Sequence, residues 1–146
     1  MKNNLGYACI NMTLSEQPKS KRITTNRSMI KRTFKARGLP YASELALQNV
    51  LDLEKIIQWN EDNDVKFYRM SSDVFPWASE YQLEDLPDFK AIAASLQRSG
   101  DLARKYGQRI TTHPGPFNKL TSPREQVVLN TITDLENHGR LFDLMG

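Results

Sequence analysis

Apolar and polar positions along this chain follow two rhythms. Short β-type runs alternate with longer stretches of helical spacing, and no internal repeat or low-complexity tract interrupts them. Residues 4–10 (Asn-Leu-Gly-Tyr-Ala-Cys-Ile) read as a first strand, weakened by Gly6. A long polar, basic stretch follows to about Pro40, far beyond the usual length of a connection. Ala46, Val50, Leu53 and Ile57 then recur at spacings of four, three and four, which places them on one helical face, with Ser43 as the expected N-cap. Residues 65–70 form a second β-type run, ended by Ser71-Ser72-Asp73 and Pro76. A second helix is predicted over 88–106, with Ile92, Leu96 and Ala103 inward and Gly107 as its stop. Residues 109–112 make a third short strand. The last helix has a start signal in Ser122, Pro123 and Glu125, a Ser-x-x-Glu capping box. Val128, Ile132, Leu135, Gly139 and Phe142 mark its expected buried side.

The order β-α-β-α-β-α predicts a parallel sheet covered by helices, with right-handed crossovers. Three parallel strands make a small sheet with two open edges. The sequence stops at Met145-Gly146, where the next strand of a repeating pattern would begin. The expectation is one partial domain, residues 1–146, belonging to a larger (βα) protein.

Composition narrows the class. The 146 residues carry 25% charged and 39% hydrophobic residues, ordinary values for a globular domain. No apolar run is long enough to span a membrane, and residues 1–5 have no secretory character, so no membrane association is expected. Cys9 is the single cysteine, so no intrachain disulfide can form; it is expected as a small buried hydrophobe. A bacterial or phage-type cytoplasm is the expected location, and a nucleus also fits. Charge is uneven: residues 1–50 balance at +7 and residues 51–146 at −4. Lys19, Lys21, Arg22, Arg27, Lys31, Arg32, Lys35 and Arg37 hold the excess. Such a cluster suits a polyanion, or simply keeps a loop solvated.

In parallel α/β folds, ligands bind at the C-terminal ends of the strands. His113, locked by Pro114-Gly115, is the sharpest candidate there: its imidazole can ligate a divalent metal or hydrogen-bond its own loop. His138 reads as a surface or packing residue of the last helix. Phe117, beside Asn118 and Lys119, can stack on a base or tuck onto the neighbouring helix. Arg69 can hold a phosphate bidentately or pair with an acid. Tyr7 can point into the mouth of the site or fill the core. No phosphate loop or nucleophile elbow is present.

Several blocks resemble the UV damage endonucleases, in order and across the whole chain. They are Leu5-Gly6-Tyr7-Ala8-Cys9-Ile10-Asn11-Met12-Thr13-Leu14 with Thr24-Thr25-Asn26-Arg27; Phe67-Tyr68-Arg69-Met70-Ser71-Ser72-Asp73-Val74-Phe75-Pro76-Trp77-Ala78; His113-Pro114-Gly115-Pro116-Phe117 with Ser122-Pro123-Arg124-Glu125; and His138-Gly139-Arg140-Leu141-Phe142-Asp143. The resemblance implies a (βα)8 barrel of the TIM type, of which this chain covers about the first three βα units. It implies nicking of double-stranded DNA immediately 5′ to UV photoproducts, with damaged bases flipped out and a cluster of divalent metals, typically manganese, at the strand ends. His113 matches the metal-binding histidine of the family. Tyr7 and Asn11 match residues facing the lesion. Pro116 and Phe117 match the pair that probes the duplex, except that the family's usual glutamine is replaced by Pro116, which can only wedge. Ser71, Asp73, Asn118 and Lys119 are further candidates near metal or substrate. The family's remaining metal ligands fall on later strands. The chain alone is therefore expected to lack nuclease activity, to expose strand faces, and to need a C-terminal half-barrel. A sugar isomerase-like barrel and a non-catalytic DNA-binding relative are the alternative readings.

Overall fold

A computed structural model describes residues 5–116 and 118–146. Three strands, β1 (Gly6–Cys9), β2 (Phe67–Met70) and β3 (Arg109–Thr112), form one parallel sheet in the order β1-β2-β3. Among the described residues four α-helices accompany them: α1 (Met12–Ser15), α2 (Lys31–Asp62), α3 (Phe89–Tyr106) and α4 (Glu125–Met145). α2 and α3 are the crossovers that parallel pairing requires.

Register divides the strand residues between two faces. Tyr7 pairs with Tyr68 and Tyr68 with Ile110, and these side chains turn toward the helices; Tyr68 and Met70 are fully buried there. The intervening positions Gly6, Ala8, Phe67, Arg69, Arg109 and Thr111 occupy the other face. Gly6 is required by the tightness of the β1–β2 pair, because a Cβ there would lie 2.3 Å from the Phe67 carbonyl oxygen.

The core lies between the sheet, α2 and α3. Ala46, Val50, Leu53 and Ile57 are completely buried, as their spacing predicts, and Ile92, Leu96 and Ala103 cover them from α3. Gly107 ends α3 in the left-handed region at φ 61°, where a side chain is disfavoured.

Five expectations are corrected. α2 begins at Lys31, not near Ser43, and is broken at Gly38, whose φ of 63° and ψ of −157° separate a basic first segment from the main helix. Pro40 stands in the first turn after that break, where no intrahelical donor is needed. Ser43 is fully buried and is not a cap: its hydroxyl donates to Asp88 Oδ2 at 2.7 Å and accepts from the Asp88 N–H at 2.9 Å, fixing the entry of α3.

At α4 the capping box does not form. Ser122 Oγ accepts from the Arg124 N–H, and Arg124 occupies the cap position. The buried side is Thr131, His138, Leu141 and Met145, while Ile132 and Leu135 of the predicted stripe stay 40% and 39% exposed. The reason lies at Gly100 of α3, where a Cβ would stand 1.9 Å from the Met145 carbonyl oxygen. That close approach fixes which side of α4 meets α3. Cys9 is also corrected: it is only half-buried, at a strained backbone position described below.

Candidate functional site at the strand ends

β1 ends in a tight turn. The Ile10 N–H donates to the Ala8 carbonyl at 2.9 Å, which puts Cys9 at φ 63°, a strained conformation for a residue with a side chain. Tyr68 OH donates to the Cys9 carbonyl at 2.9 Å and holds the turn from β2. The chain then swings toward the helix layer. Asn11 caps α1 by accepting from the Leu14 N–H, and its amide donates to Tyr7 OH at 3.0 Å. Tyr7 OH donates in turn to Asn60 Oδ1 at 2.7 Å, and Asn60 donates to Gln108. Tyr7 and Asn11 thus share a polar chain against α2, with the Tyr7 ring 5.0 Å from Tyr68 and edge-on to Trp59. Burial raises the Tyr7 phenol above its ordinary range, so it stays a neutral donor.

The opposite face holds a different set. Arg69 is exposed between Ala8 and Thr111. Its Nε donates to the Thr112 carbonyl at 3.1 Å, and neither terminal guanidinium nitrogen has a partner among the described residues. The next residue, His113, donates its N–H to the Met70 carbonyl at 2.9 Å, extending the β2–β3 ladder by one step. The half-buried His113 ring has Nδ1 3.2 Å from the Pro114 carbonyl. Arg69 and the start of the His113 loop are therefore brought together at the C-terminal end of the sheet. Ser71 is buried and occupied locally, accepting from the Asp73 N–H, while Asp73 is exposed. Pro116 and Lys119 are exposed. Phe117 lies outside the described residues.

Sequence reasoning missed what holds the His113 loop. Asn118 donates to Asp134 Oδ2 of α4, and the Lys119 N–H donates to Thr131 Oγ1 at 2.8 Å. His138 is buried beside this pair, its Nε2 3.5 Å from Asp134 Oδ2 and without a hydrogen bond among the described residues. It borders a cavity of about 20 Å³ with Ser71, Ser72 and Leu141, room for one water. The signal was available: Thr131, Asp134 and His138 fall at helical spacing, but polar residues were not read as a buried side.

The basic segment is also anchored. Asp52, only 4% exposed, accepts from the Thr24 N–H and pairs with Arg27 at 2.7 Å and Lys55 at 2.8 Å. Asn49, fully buried, accepts from the Arg27 N–H and donates to the carbonyls of Arg27 and Val74. Trp77 donates from Nε1 to the Met29 carbonyl and stacks on Phe34 at 5.6 Å. An open cleft of about 890 Å³ runs between this segment and α2, bordered by Lys19, Arg22 and Lys55, on the β1 side of the molecule.

The donor set for a metal is narrow. Among the described residues no group of three or more His, Cys, Asp or Glu stands together. His113 is a lone imidazole, so these residues do not by themselves make a coordination shell for manganese. No described helix is long and apolar enough to cross a membrane.

A parallel sheet with crossover helices, an arginine and a histidine standing at the C-terminal ends of its strands, is the layout of an α/β protein whose ligands bind at that end. The family model described as UV-endonuclease UvdE matches residues 3–146, and the chain belongs to that family. It is 38% identical over 144 residues to the UV-damage endonuclease of Schizosaccharomyces pombe, covering 99% of this chain and 23% of that protein. The UV DNA damage endonuclease of Clostridium perfringens is 28% identical over 139 residues, with 95% of this chain and 31% of the relative covered. Among solved structures, that of SacUVDE superposes with a TM-score of 0.81 at 27% identity, over 97% of this chain and 45% of the other. The chain thus spans less than half the length of each of these relatives.

Proposed function

We propose that this chain forms the N-terminal part of a TIM-type barrel endonuclease that nicks double-stranded DNA immediately 5′ to UV photoproducts. The observation that carries the reading is the family match along residues 3–146. It favours a DNA-directed enzyme over a sugar isomerase, and the local positive charge agrees. Arg69 presents two guanidinium nitrogens that have no partner among the described residues beside the His113 loop, which suits bidentate capture of a backbone phosphate. Pro116 and Phe117 act on the duplex, Pro116 as a wedge and Phe117 by stacking, so that lesion bases, which unstack at lower cost, leave the helix. Ser71 shapes the β2 loop, and Asn118 with Lys119 fixes the probing loop on α4. His113 offers one imidazole to a divalent metal, most suitably manganese, whose other ligands come from beyond this chain.

Completion of the barrel by further βα units is part of the proposal. The outer edges of β1 and β3, unpaired among the described residues, and the exposed Ile132 and Leu135 on α4 support it, because open edges and apolar helix faces are what barrel closure covers.

The test joins this chain to the C-terminal portion of the Clostridium perfringens relative. A duplex with one cyclobutane dimer is incubated with manganese. The chimera is expected to nick 5′ to the dimer and to lose nicking on His113→Ala, while the 146-residue chain alone cuts nothing. A folded chimera with no nick overturns the proposal. Nicking by the chain alone overturns the need for a C-terminal half.

A further inference from the structure

The geometry points to a second contact with DNA, separate from the strand-end residues: a fixed cationic platform formed by Lys19, Lys21, Arg22, Lys31, Arg32 and Lys35 that holds the phosphates of the duplex flanking the cut. The inference rests on the DNA-directed reading above and extends it to the partner's backbone.

Three observations separate this platform from a merely solvated loop. First, residues 19–37 contain eight Lys or Arg and no Asp or Glu. Two of the eight are engaged locally: Arg27 pairs with Asp52, and Arg37 lies 3.4 Å over the centre of the Tyr41 ring, 3.9 Å from Glu44. The other six have no acidic partner within 4.0 Å among the described residues, and all six are exposed. Over residues 38–146 five of the eleven Lys or Arg pair with a carboxylate among the described residues, Arg98 with Glu54 and Arg140 with Glu84 among them.

Second, the segment is anchored at Thr24 and Arg27 by groups that are themselves buried. Thr24, Thr25, Asn49 and Asp52 lie at most 7% exposed, and the Asn49 and Asp52 side chains bind its backbone. A loop needed only for solubility requires no such anchors. Holding unpaired like charges together costs self-repulsion, which a polyanion relieves. Third, the anchors lead to the site. Asn49 joins the Arg27 carbonyl to that of Val74, and Trp77 joins Met29 and Phe34 to the loop after β2. The platform therefore shares a rigid support with the loop that follows Arg69.

Lys31, Arg32 and Lys35 stand on the first segment of α2, where four residues advance about 6 Å along the axis. A row of point charges at that spacing can follow consecutive phosphates without reading bases. Each neutralised phosphate contributes roughly 0.9 to the slope of log affinity against log salt.

The experiment measures fluorescence anisotropy of a labelled duplex titrated with the chain across a salt series, with intact and dimer-containing DNA. Lys31→Gln/Arg32→Gln/Lys35→Gln is expected to weaken binding about tenfold or more at low salt. It should flatten the salt slope by about two to three on both duplexes. Lys19→Gln/Lys21→Gln/Arg22→Gln should act in the same direction. Lys90→Gln/Lys105→Gln on α3 is the control and should stay within about twofold. Unchanged affinity and slope in both triple variants overturn the platform, even if the chimera nicks DNA. A flattened slope with no nicking by the chimera keeps the platform and rejects the endonuclease. Binding to phosphatidylserine vesicles with no binding to duplex overturns the assignment to DNA.

Discussion

α2 and α4 are both long helices with a regular apolar rhythm, yet their fates differ. On α2, Val50, Leu53 and Ile57 are completely covered by the sheet and α3. On α4, Ile132 and Leu135 of an equally regular stripe remain about two-fifths exposed, and a more polar side is packed instead. The difference teaches that periodicity announces a face suited to burial without saying what covers it. α2 finds its partners within this chain; of the α4 stripe only its end, Phe142, packs on the core, and Ile132 and Leu135 stay exposed.

The largest effect separates the two helices directly. Leu53→Ala is expected to cost about 3 kcal/mol or more, since the site is closed on all sides and a cavity would remain. Ile132→Ala should fall within about 0.5 kcal/mol. Urea denaturation of both variants reads the contrast. Equal losses would break it and show that self-association covers α4 in solution. Next in size is Asp52→Ala, which removes a buried carboxylate from the Thr24 N–H, Arg27 and Lys55 together. A loss of about 2–3 kcal/mol is expected, with faster tryptic cleavage at Lys19, Lys21 and Arg22. A cleavage rate equal to the parent's would mean that Asp52 is not what holds the basic segment. Gly100→Ala should cost about 2 kcal/mol, because the added methyl meets backbone rather than a movable side chain. Hydrogen exchange should rise in α4 and not in α2; uniform change would contradict the assignment of Gly100 to the α3–α4 contact.

Much of the fold was legible because the decisive signals were local. β3 was placed residue for residue, the Gly107 stop was found, and the inward faces of α2 and α3 followed from spacing. The start of α2 was not legible: its first segment is too polar for a moment to show, and Gly38 and Pro40 read as loop. Ser43 and Ser122 both look like caps, yet Ser43 serves Asp88, forty-five residues away, which no local pattern encodes. At the site, the position of Arg69 beside the His113 loop followed from the parallel order. The support of that loop by Thr131 and Asp134 did not, because it depends on how far α4 is rotated, which the Gly100 contact sets.

Tyr7 gives the smallest test and bears on the packed side alone. Its hydroxyl links Asn11, which caps α1, to Asn60 near the end of α2. Tyr7→Phe keeps the ring against Tyr68 and Trp59 and removes only that link, leaving Asn60 Oδ1 and the Asn11 amide to find water. Both residues are buried, yet each side chain keeps a second partner, Asn60 in Gln108 and Asn11 in the Leu14 N–H, so the expected cost is about 1 kcal/mol. Duplex affinity, measured on the same variant, distinguishes structural from direct action. If the hydroxyl serves the fold, affinity per folded molecule is unchanged for intact and damaged DNA alike. If it also touches the lesion, affinity for the dimer-containing duplex alone falls, and the polar chain on the helix side must open when DNA is bound.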